Sequence, residues 1–466
     1  MFRISNHYVP ISAAILLVVE ILCLMASVYL GVYIRFLEPV QPFSGSQADL
    51  WMKNASVFAF VMVSSMAVFG MYHQGYRENF RDTLLRLMPA FAVGFGLITL
   101  IFYLYPDIYL GRGILAIVMV ISASAIFLTR AVFHKWSATT LTGTPILVLG
   151  AGRLAKQCAM LFEGNAGPNK YKVVGFISMP GEEKQLSSSS ILQRKGTLMS
   201  MAQEYNVKEI IVAVRNRRGG ALPIQELLEC KLNGIEVTDV DTFFEREMNQ
   251  VRVDFLQPSW LVFNGGFDQS DFRIIVKKVF DLLASVILLI ITFPIMLITA
   301  LLIYIEDRMP IFYRQERVGR NGHTFMILKF RSMRNDAEKF GEPKWASEND
   351  PRMTRVGRVI RKLRIDELPQ ILNVLKGDMS FVGPRPERPF FVEKLCEDIA
   401  YYNTRHSIKP GITGWAQVRY PYGASIEDAI QKLWYDLYYV KNNSLFLDIL
   451  ILIDSVRVVL FGKGVR

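Results

Sequence analysis

Four long apolar runs open the sequence and constrain its fold more than any other feature. They cover roughly residues 9–34, 51–72, 87–105 and 112–133, and each is close to the ~20 residues that a helix needs to cross a bilayer. Hydrophobic residues make up 51% of the chain and the mean hydropathy is +0.26, which is more apolar than a water-exposed protein requires. We therefore expect a membrane protein with four N-terminal transmembrane helices in residues 1–140.

Charged residues around these runs predict how the helices are oriented. Lys and Arg lie before the first run, between the second and third, and after the fourth, whereas acidic residues follow the first run. The residues concerned are Arg3, Glu38, Asp49, Arg77, Arg81, Arg86, Arg130 and Lys135. Because positively charged loops stay on the cytoplasmic side, both ends of the four-helix region are expected in the cytoplasm.

The formal net charge of +11 calls for an acidic partner. Nucleic acid, anionic lipid headgroups and phosphorylated substrates all qualify. The four cysteines are widely scattered and none pairs at metal-ligand spacing, so the sequence predicts neither a disulfide framework nor a zinc site.

Residues 141–268 are expected to form a Rossmann-like α/β domain. The predicted strands are Pro145–Leu149, Tyr171–Ile177 and Glu209–Val214. Gly150-Ala151-Gly152 follows the first strand and permits a dinucleotide site. The acidic residue that would hold the ribose is missing from the end of the second strand, and Glu182 and Glu183 come slightly late. We expect a structural or regulatory domain without a working cofactor site; a functional nucleotide site is the alternative.

A fifth apolar stretch, Ile274–Ile305, is too long for a straight crossing. Pro294 lies past its middle, removes a backbone donor and predicts a break there. Because charged residues flank both ends, we expect a re-entrant helix over 274–305 that enters the membrane, breaks and returns. The later apolar run Leu445–Leu460 suits either an interfacial helix or a core helix.

The densest chemistry lies at Asp366-Glu367, which follows three cations within six residues. Leu368–Leu375 is expected to be helical, so Asp366 would sit at or near an N-cap. The helix dipole would keep Asp366 ionised and attract a phosphate, as an aspartyl-phosphate intermediate requires. Plain N-capping with a surface salt bridge is the alternative.

Two further clusters suit phosphate binding. Strand alternation places Lys329 and Arg331 on one face, where two cations can clamp a diphosphate. Gly383–Pro389 holds Arg385 and Glu387 between prolines, which lower the entropy cost of fixing a charged group. A simple surface turn is the alternative for each.

These motifs, in this order, resemble those of the bacterial sugar transferase family, the polyprenyl-phosphate hexose-1-phosphate transferases or monotopic phosphoglycosyl transferases. The matching stretches are Phe312–Gly319, Lys329–Met333, Asp366–Gln370, Asn373–Gly377, Ser380–Glu387, Arg405–Val418 and Tyr435–Tyr439. The N-terminal spans and the Rossmann-like segment are similar to the large members, which initiate exopolysaccharide or O-antigen assembly.

The resemblance implies an α/β-type catalytic domain in residues 269–466, on the cytoplasmic face of the bacterial inner membrane. It implies that Asp366 attacks the β-phosphate of a UDP-sugar and expels UMP, and that Glu367 assists proton transfer from undecaprenyl phosphate. It also implies Mg²⁺ at Asp366 and the diphosphate. The predicted phosphate contacts are Lys329, Arg331, Arg385 and, less strongly, Glu387.

The implied partners are a UDP-sugar, undecaprenyl phosphate and the lipid bilayer, with no nucleic acid and with a possible homodimer. Two other classes of function stay open. A membrane-tethered, NAD-dependent nucleotide-sugar dehydratase or epimerase would need a Tyr-x-x-x-Lys pair, which the sequence lacks. Four spans are few for a transporter, and release of UMP from a UDP-sugar would exclude an assembly scaffold without catalysis. The residues do not identify the sugar.

Overall fold

The computed structural model divides the chain into two compact units. It describes residues 2–4, 7–36, 46–72, 80–140, 143–164, 171–183, 185–187, 190–215, 222–253, 258–267, 269–334, 352–421, 423 and 425–461. The first unit contains Met1–Phe2 and Val9–Glu247, and the second contains Arg3–Tyr8 and Met248–Arg466. Glu38 and Arg77, on which the predicted orientation partly depends, lie outside the described residues.

The first unit begins with four long apolar helices at the positions of the four apolar runs. They are α1 (Ile11–Phe36), α2 (Ser46–Val68), α3 (Phe80–Leu104) and α4 (Arg112–Thr140). α1 packs against α2 and α4, and α2 packs against α3, around a core that includes Leu24, Phe58, Met62, Ile98 and Val118. By length and composition each helix contains a candidate membrane span.

A buried ion pair joins α1 to α4. Arg130 Nε lies 2.7 Å from Glu20 Oε1, and the Tyr72 hydroxyl donates to Glu20 Oε2 at 2.5 Å. Glu20 lies within the first apolar run, where hydropathy alone gives it no role. Charged residues inside an apolar helix bundle need such partners, because an unpaired charge there is costly.

The rest of the first unit is a parallel sheet with helices. Its strands are β3 (Thr144–Leu149), β4 (Tyr171–Ile177), β5 (Glu209–Val212) and β6 (Glu236–Asp239), in the order β4-β3-β5-β6. Its helices are α5 (Arg153–Gly164), α6 (Leu198–Glu204), α7 (Ile224–Leu232) and α8 (Val240–Met248). All three predicted strands are present, and every pairing is parallel, as in a Rossmann-like sheet.

The second unit is dominated by helices. They are α9 (Pro258–Phe263), α10 (Asp271–Asp307), α11 (Arg355–Lys362), α12 (Ile371–Lys376), α13 (Pro389–Asp398), α14 (Trp415–Arg419), α15 (Ile426–Asn442) and α16 (Leu445–Phe461). The strands β7 (Phe312–Val318) and β8 (Thr324–Phe330) form a hairpin, and β9 (Ser380–Val382) pairs in parallel with β10 (Gly411–Thr413). Two-stranded sheets of this size differ from the layered sheet that the expected α/β-type domain implies. Two N-terminal strands, β1 (Phe2–Ile4) and β2 (His7–Val9), pair with each other.

The second unit starts earlier than the predicted domain boundary at residue 268. Asn249 accepts a hydrogen bond at its carbonyl oxygen from Trp415 Nε1 at 3.0 Å, and the Val251 amide donates to the Trp434 carbonyl at 3.0 Å. Val251 is also part of the buried core of this unit. An isolated fragment of the second unit would therefore need to include residues from Met248 onward.

Helix α16 belongs to that same core. Leu447 and Ile451 are fully buried, and Asp448 forms an ion pair with Lys277 on α10 at 2.6 Å. These contacts favour the core interpretation of the last apolar run over an interfacial helix.

Helix α10 contacts the second unit at both ends. Near its start, Asp281 Oδ1 accepts hydrogen bonds from Ser380 Oγ and the Phe381 amide, both at 3.1 Å. At its end, the two Glu306 carboxylate oxygens accept the Arg355 and Val356 amides of α11 at 2.7 and 2.9 Å. The apolar side chains between these ends are largely exposed, which suits contact with lipid.

Candidate active site

Lys329 reaches the candidate site through the packing of α12 against β8. The Asn373 side chain accepts the Leu328 amide at 2.9 Å and donates to the Met326 carbonyl at 2.8 Å. It therefore replaces a neighbouring strand at the edge of β8. This pairing sets the position of Lys329 relative to the residues immediately before α12.

Asp366 and Glu367 lie in a 3₁₀ turn, Ile365–Gln370, that continues into α12. The turn starts after Arg364, which has a left-handed backbone with φ of 58°. Asp366 was expected at or near a helix N-cap; Arg364 takes the cap position, and Asp366 lies near it in the first turn. Helix α12 ends at Gly377, which has φ of 91° and donates its amide to the Asn373 and Val374 carbonyls.

Glu367 is the charged centre of the site. Its Oε1 atom accepts from Lys329 Nζ at 3.0 Å and from Arg385 Nη2 at 2.9 Å, and it lies 3.8 Å from Arg364 Nη1. Burial by itself would raise the pKa of Glu367, but the charges of Lys329, Arg385 and Arg364 hold it well below its ordinary value. Glu367 is therefore ionised and fixed in position.

Asp366 lies beside this cluster in a different environment. Its Oδ1 atom is buried and accepts no hydrogen bond from the described residues. Burial, followed by the adjacent charge of Glu367, raises the pKa of Asp366. The direction of this shift is opposite to the one expected from the helix dipole, since desolvation and the Glu367 charge outweigh the nearby cations.

Arg385 and Glu387 lie on the loop that follows β9. Gly383 lies so close to the backbone at Lys409 that a Cβ on Gly383 would be 2.4 Å from the Lys409 carbonyl oxygen, so only glycine fits. Glu387 forms an ion pair with Arg317 at 3.4 Å. The loop brings the Arg385 guanidinium into contact with Glu367. It places Glu387 at the edge of the group of cations around Glu367.

Arg331 is not brought to this cluster. Its Nη2 atom donates to the carbonyl oxygens of Asp307 and Arg308 at 2.9 and 2.8 Å. Because β8 ends at Phe330, the alternation that was expected to keep Arg331 on the face of Lys329 no longer applies. Arg331 instead satisfies the last carbonyls of α10, as cations near helix C-termini do.

Sequence reasoning assigned no role to three other charged residues near the site. Arg317 pairs with Glu387, and Arg405 forms a buried ion pair with Asp436 at 2.7 Å. All three lie within stretches that carry the family resemblance, and that membership is the one signal that could have singled them out.

The arrangement combines a free carboxylate oxygen with cations held by a second carboxylate. An anion that displaces Glu367 from part of this cationic group would meet Lys329 and Arg385 while lying close to Asp366. Cations fixed in advance stabilise phosphoryl groups because no reorganisation is needed when the substrate arrives. The geometry therefore suits transfer of a phosphoryl group through a carboxylate nucleophile.

Comparison with known proteins also points to a transferase. A family described as bacterial sugar transferase matches residues 272–462. The exopolysaccharide production protein PSS of Rhizobium leguminosarum bv. phaseoli is 38% identical over 200 residues, which are 41% of this chain and 98% of that relative. The chain belongs to the bacterial sugar transferase family.

Longer relatives extend the similarity. The UDP-N-acetylgalactosamine-undecaprenyl-phosphate N-acetylgalactosaminephosphotransferase of Aeromonas hydrophila is 44% identical over 240 residues, 52% of this chain. The undecaprenyl-phosphate glucose phosphotransferase of Komagataeibacter xylinus is 30% identical over 340 residues, 72% of this chain. The chain spans 56% and 62% of the lengths of these two relatives.

A family described as CoA-binding domain matches residues 67–223, yet the glycine turn after β3 does not fit a nucleotide phosphate. The Ala151 amide, which would face such a phosphate at the start of α5, donates to Glu182 Oε2 at 2.8 Å. A Cβ on Gly152 would lie 2.7 Å from Glu182 Oε1. The Glu182 carboxylate therefore occupies the position that a nucleotide phosphate would take.

We expect nucleotides to leave the thermal unfolding of the purified protein unchanged, whether NAD, ADP or CoA is added. Glu182→Ala should remove the competing anion and let ADP raise the unfolding temperature, because the Ala151 amide is then open to phosphate. Glu183→Ala, at an exposed neighbour, is the control and should behave as wild type. A clear shift with unaltered protein would contradict the fit described above.

Proposed function

We propose that the protein transfers a sugar 1-phosphate from a UDP-sugar to undecaprenyl phosphate, giving undecaprenyl-diphosphate-sugar and UMP. The observation that carries the proposal is the contrast within the dyad: Glu367 is fixed by Lys329 and Arg385, whereas Asp366 Oδ1 is unoccupied by any described donor. The names of the relatives support the same reaction class, and we propose that the reaction is the first membrane step of exopolysaccharide or O-antigen synthesis. The NAD-dependent alternative is not favoured, because Glu182 occupies the phosphate position of the glycine turn.

The roles of the residues follow from their contacts. Asp366 attacks the β-phosphorus, the bond to the UMP oxygen breaks, and an aspartyl-phosphosugar forms with UMP as the leaving group. Lys329 and Arg385 hold the diphosphate oxygens and balance the charge that UMP carries away. Undecaprenyl phosphate then attacks the same phosphorus and releases Asp366, with Glu367 taking any acceptor proton. Glu387 and Arg331 act at a distance from the reacting atoms, Glu387 through Arg317 and Arg331 through α10.

A magnesium ion fits this site if it is coordinated by the protein and the substrate together. Among the described residues no three Asp, Glu, His or Cys side chains form a metal-binding group. Mg²⁺ commonly binds through one or two carboxylates together with substrate phosphates and water, and the unpartnered Asp366 Oδ1 offers such a ligand. When bound, the ion supplies charge neutralisation at the diphosphate and favours ionised Asp366.

The membrane arrangement is part of the proposal. We infer that α1 to α4 cross the bacterial inner membrane and that α10 enters it and returns near Pro294, which leaves the second unit in the cytoplasm. The structure has α10 as one uninterrupted helix through Pro294, so the expected break is not seen as a non-helical residue. The 25 residues from Asp281 to Glu306 would be about 38 Å long in a straight helix, and both residues contact the same compact unit. A homodimer remains a prediction from the family resemblance.

Transfer assays test the proposed function directly. Membranes containing the protein should convert one or more of a panel of labelled UDP-sugars into lipid product when undecaprenyl phosphate and Mg²⁺ are present. UMP should appear in equal amount, and chelation of Mg²⁺ should stop the reaction. Absence of lipid product with glucose, galactose, N-acetylhexosamine and diamino-sugar donors alike would contradict the proposal.

A further inference from the structure

The loop that carries Arg385 is held by its carbonyl oxygens. Arg385 lies between Pro384 and Pro386, and proline has no N–H to donate. The Pro384 carbonyl accepts the Gly411 amide at 3.0 Å, and the Arg385 carbonyl accepts Arg405 Nη2 at 2.9 Å. The next carbonyl, of Pro386, accepts Arg317 Nη1 at 3.1 Å, so two side chains hold the loop, and Arg405 is the one that binds at Arg385 itself.

Arg405 is itself fixed by three other contacts. Its Nε and Nη2 atoms donate to Asp436 Oδ2 at 3.0 and 2.7 Å, and Nη1 donates to the Tyr402 hydroxyl at 3.2 Å. The Arg405 and Asp436 side chains are only 5% and 3% exposed. A guanidinium held on several sides loses its freedom to move, so the Arg385 carbonyl is bound to a rigid donor.

Stability alone gives little reason for a buried ion pair here. Taking two charges out of water is costly, and apolar residues of similar volume often serve folding as well or better. What apolar residues cannot supply is a donor for the Arg385 carbonyl. On the other side of that residue, the Arg385 guanidinium contacts Glu367 at 2.9 Å.

We propose that the Arg405–Asp436 pair is a positioning device that holds Arg385 in place to bind the diphosphate of the sugar donor. The inference rests on the proposed function and adds two positioning residues to it. Arg405 and Asp436 act through the Arg385 backbone, while Arg385 meets the substrate. Loss of the pair leaves the reacting carboxylates intact and lets the loop shift.

The test replaces both members of the pair, Arg405→Met with Asp436→Leu, so that no unpaired buried charge remains. The variant should unfold at a temperature close to that of wild type. Its kcat/KM for the UDP-sugar should fall about 100-fold, because small misplacements of substrate-positioning groups have effects of this size. KM for the UDP-sugar should rise, whereas KM for undecaprenyl phosphate should change little. Removal of the Lys376–Asp378 pair, in which Lys376 is exposed and Asp378 half-buried, by Lys376→Gln with Asp378→Asn, is the control and should have no effect.

Combination with Arg385→Ala separates positioning from a general structural role. If the pair acts through Arg385, adding its replacement to Arg385→Ala should lower kcat/KM by less than about threefold further. Multiplication of the two separate losses, or wild-type kinetics of the pair variant, would overturn the inference while leaving the proposed function intact. If the apolar pair does not fold, Arg405→Lys serves instead, since lysine keeps the charge but not the fork of donors. Absence of transfer by the wild-type enzyme would overturn both proposals.

Discussion

Replacing Asp366 by asparagine should abolish sugar-phosphate transfer while the protein stays folded. An amide has nearly the shape of the carboxylate but is not a useful nucleophile, and loss of a nucleophile can lower kcat by about 10⁶-fold. The hydrogen bonds of Glu367 to Lys329 and Arg385 do not involve Asp366, so substrate binding should persist. UMP formation from a UDP-sugar measures the loss, and thermal unfolding checks the fold.

The covalent mechanism also predicts the order in which the products appear in this assay. In a single-turnover experiment the wild-type protein should release UMP before any lipid acceptor is added, as ping-pong chemistry requires. Asp398→Asn, at an exposed position on α13, is the matched control and should retain full activity. UMP that appears only together with lipid product would refute the aspartyl-phosphosugar intermediate.

The return of α10 to the cytoplasmic face should give an all-or-none labelling pattern. In a background without the four native cysteines, a reporter at Lys376→Cys should resist a membrane-impermeant reagent in intact cells and react after permeabilisation. A reporter at Asp107→Cys, between α3 and α4, should react in intact cells, because three crossings from a cytoplasmic start place it outside. Labelling at position 376 in intact cells would contradict the re-entrant arrangement.

Pro294→Ala should weaken that return. Alanine restores the backbone donor and removes the clash of the proline ring, which should straighten α10 and draw it towards a full crossing. UDP-sugars are made in the cytoplasm, so a second unit displaced from that face would lose its donor, and transfer should fall severely. Leu297→Ala, at an exposed position on the same helix, should leave both labelling and transfer unchanged. Wild-type transfer by Pro294→Ala would show that the break is not required.

Local patterns in the sequence were sufficient to predict where the main elements lie. The apolar runs coincide with α1 to α4, the fifth stretch with α10, and the predicted strands Pro145–Leu149 and Tyr171–Ile177 with β3 and β4. Hydropathy and side-chain period are properties of neighbouring residues, so they are legible without the fold. The same reasoning failed at Arg331, because alternation holds only while a strand lasts and β8 ends one residue earlier.

The candidate site divides in the same way. Asp366 and Glu367 are adjacent in the sequence, and the family resemblance singled out Lys329 and Arg385 as phosphate contacts. That both cations pair with Glu367 and leave Asp366 without a described donor depends on contacts across 38 and 18 residues. The ionisation of Asp366 also could not be read locally, since desolvation is set by what packs over the carboxylate.

Two contacts appear only when the chain is folded. Glu182 lies 31 residues from Ala151 and fills the glycine turn, and Arg405 lies 31 residues from Asp436 and 20 from the Arg385 carbonyl that it holds. By itself the sequence indicated the membrane character, the positions of the main helices and strands and, through the family resemblance, the candidate carboxylates Asp366 and Glu367, because each is written in neighbouring residues. Only the tertiary structure decided which charge meets which, because an ion pair or a hydrogen bond forms within about 4 Å in space, whatever the distance along the chain.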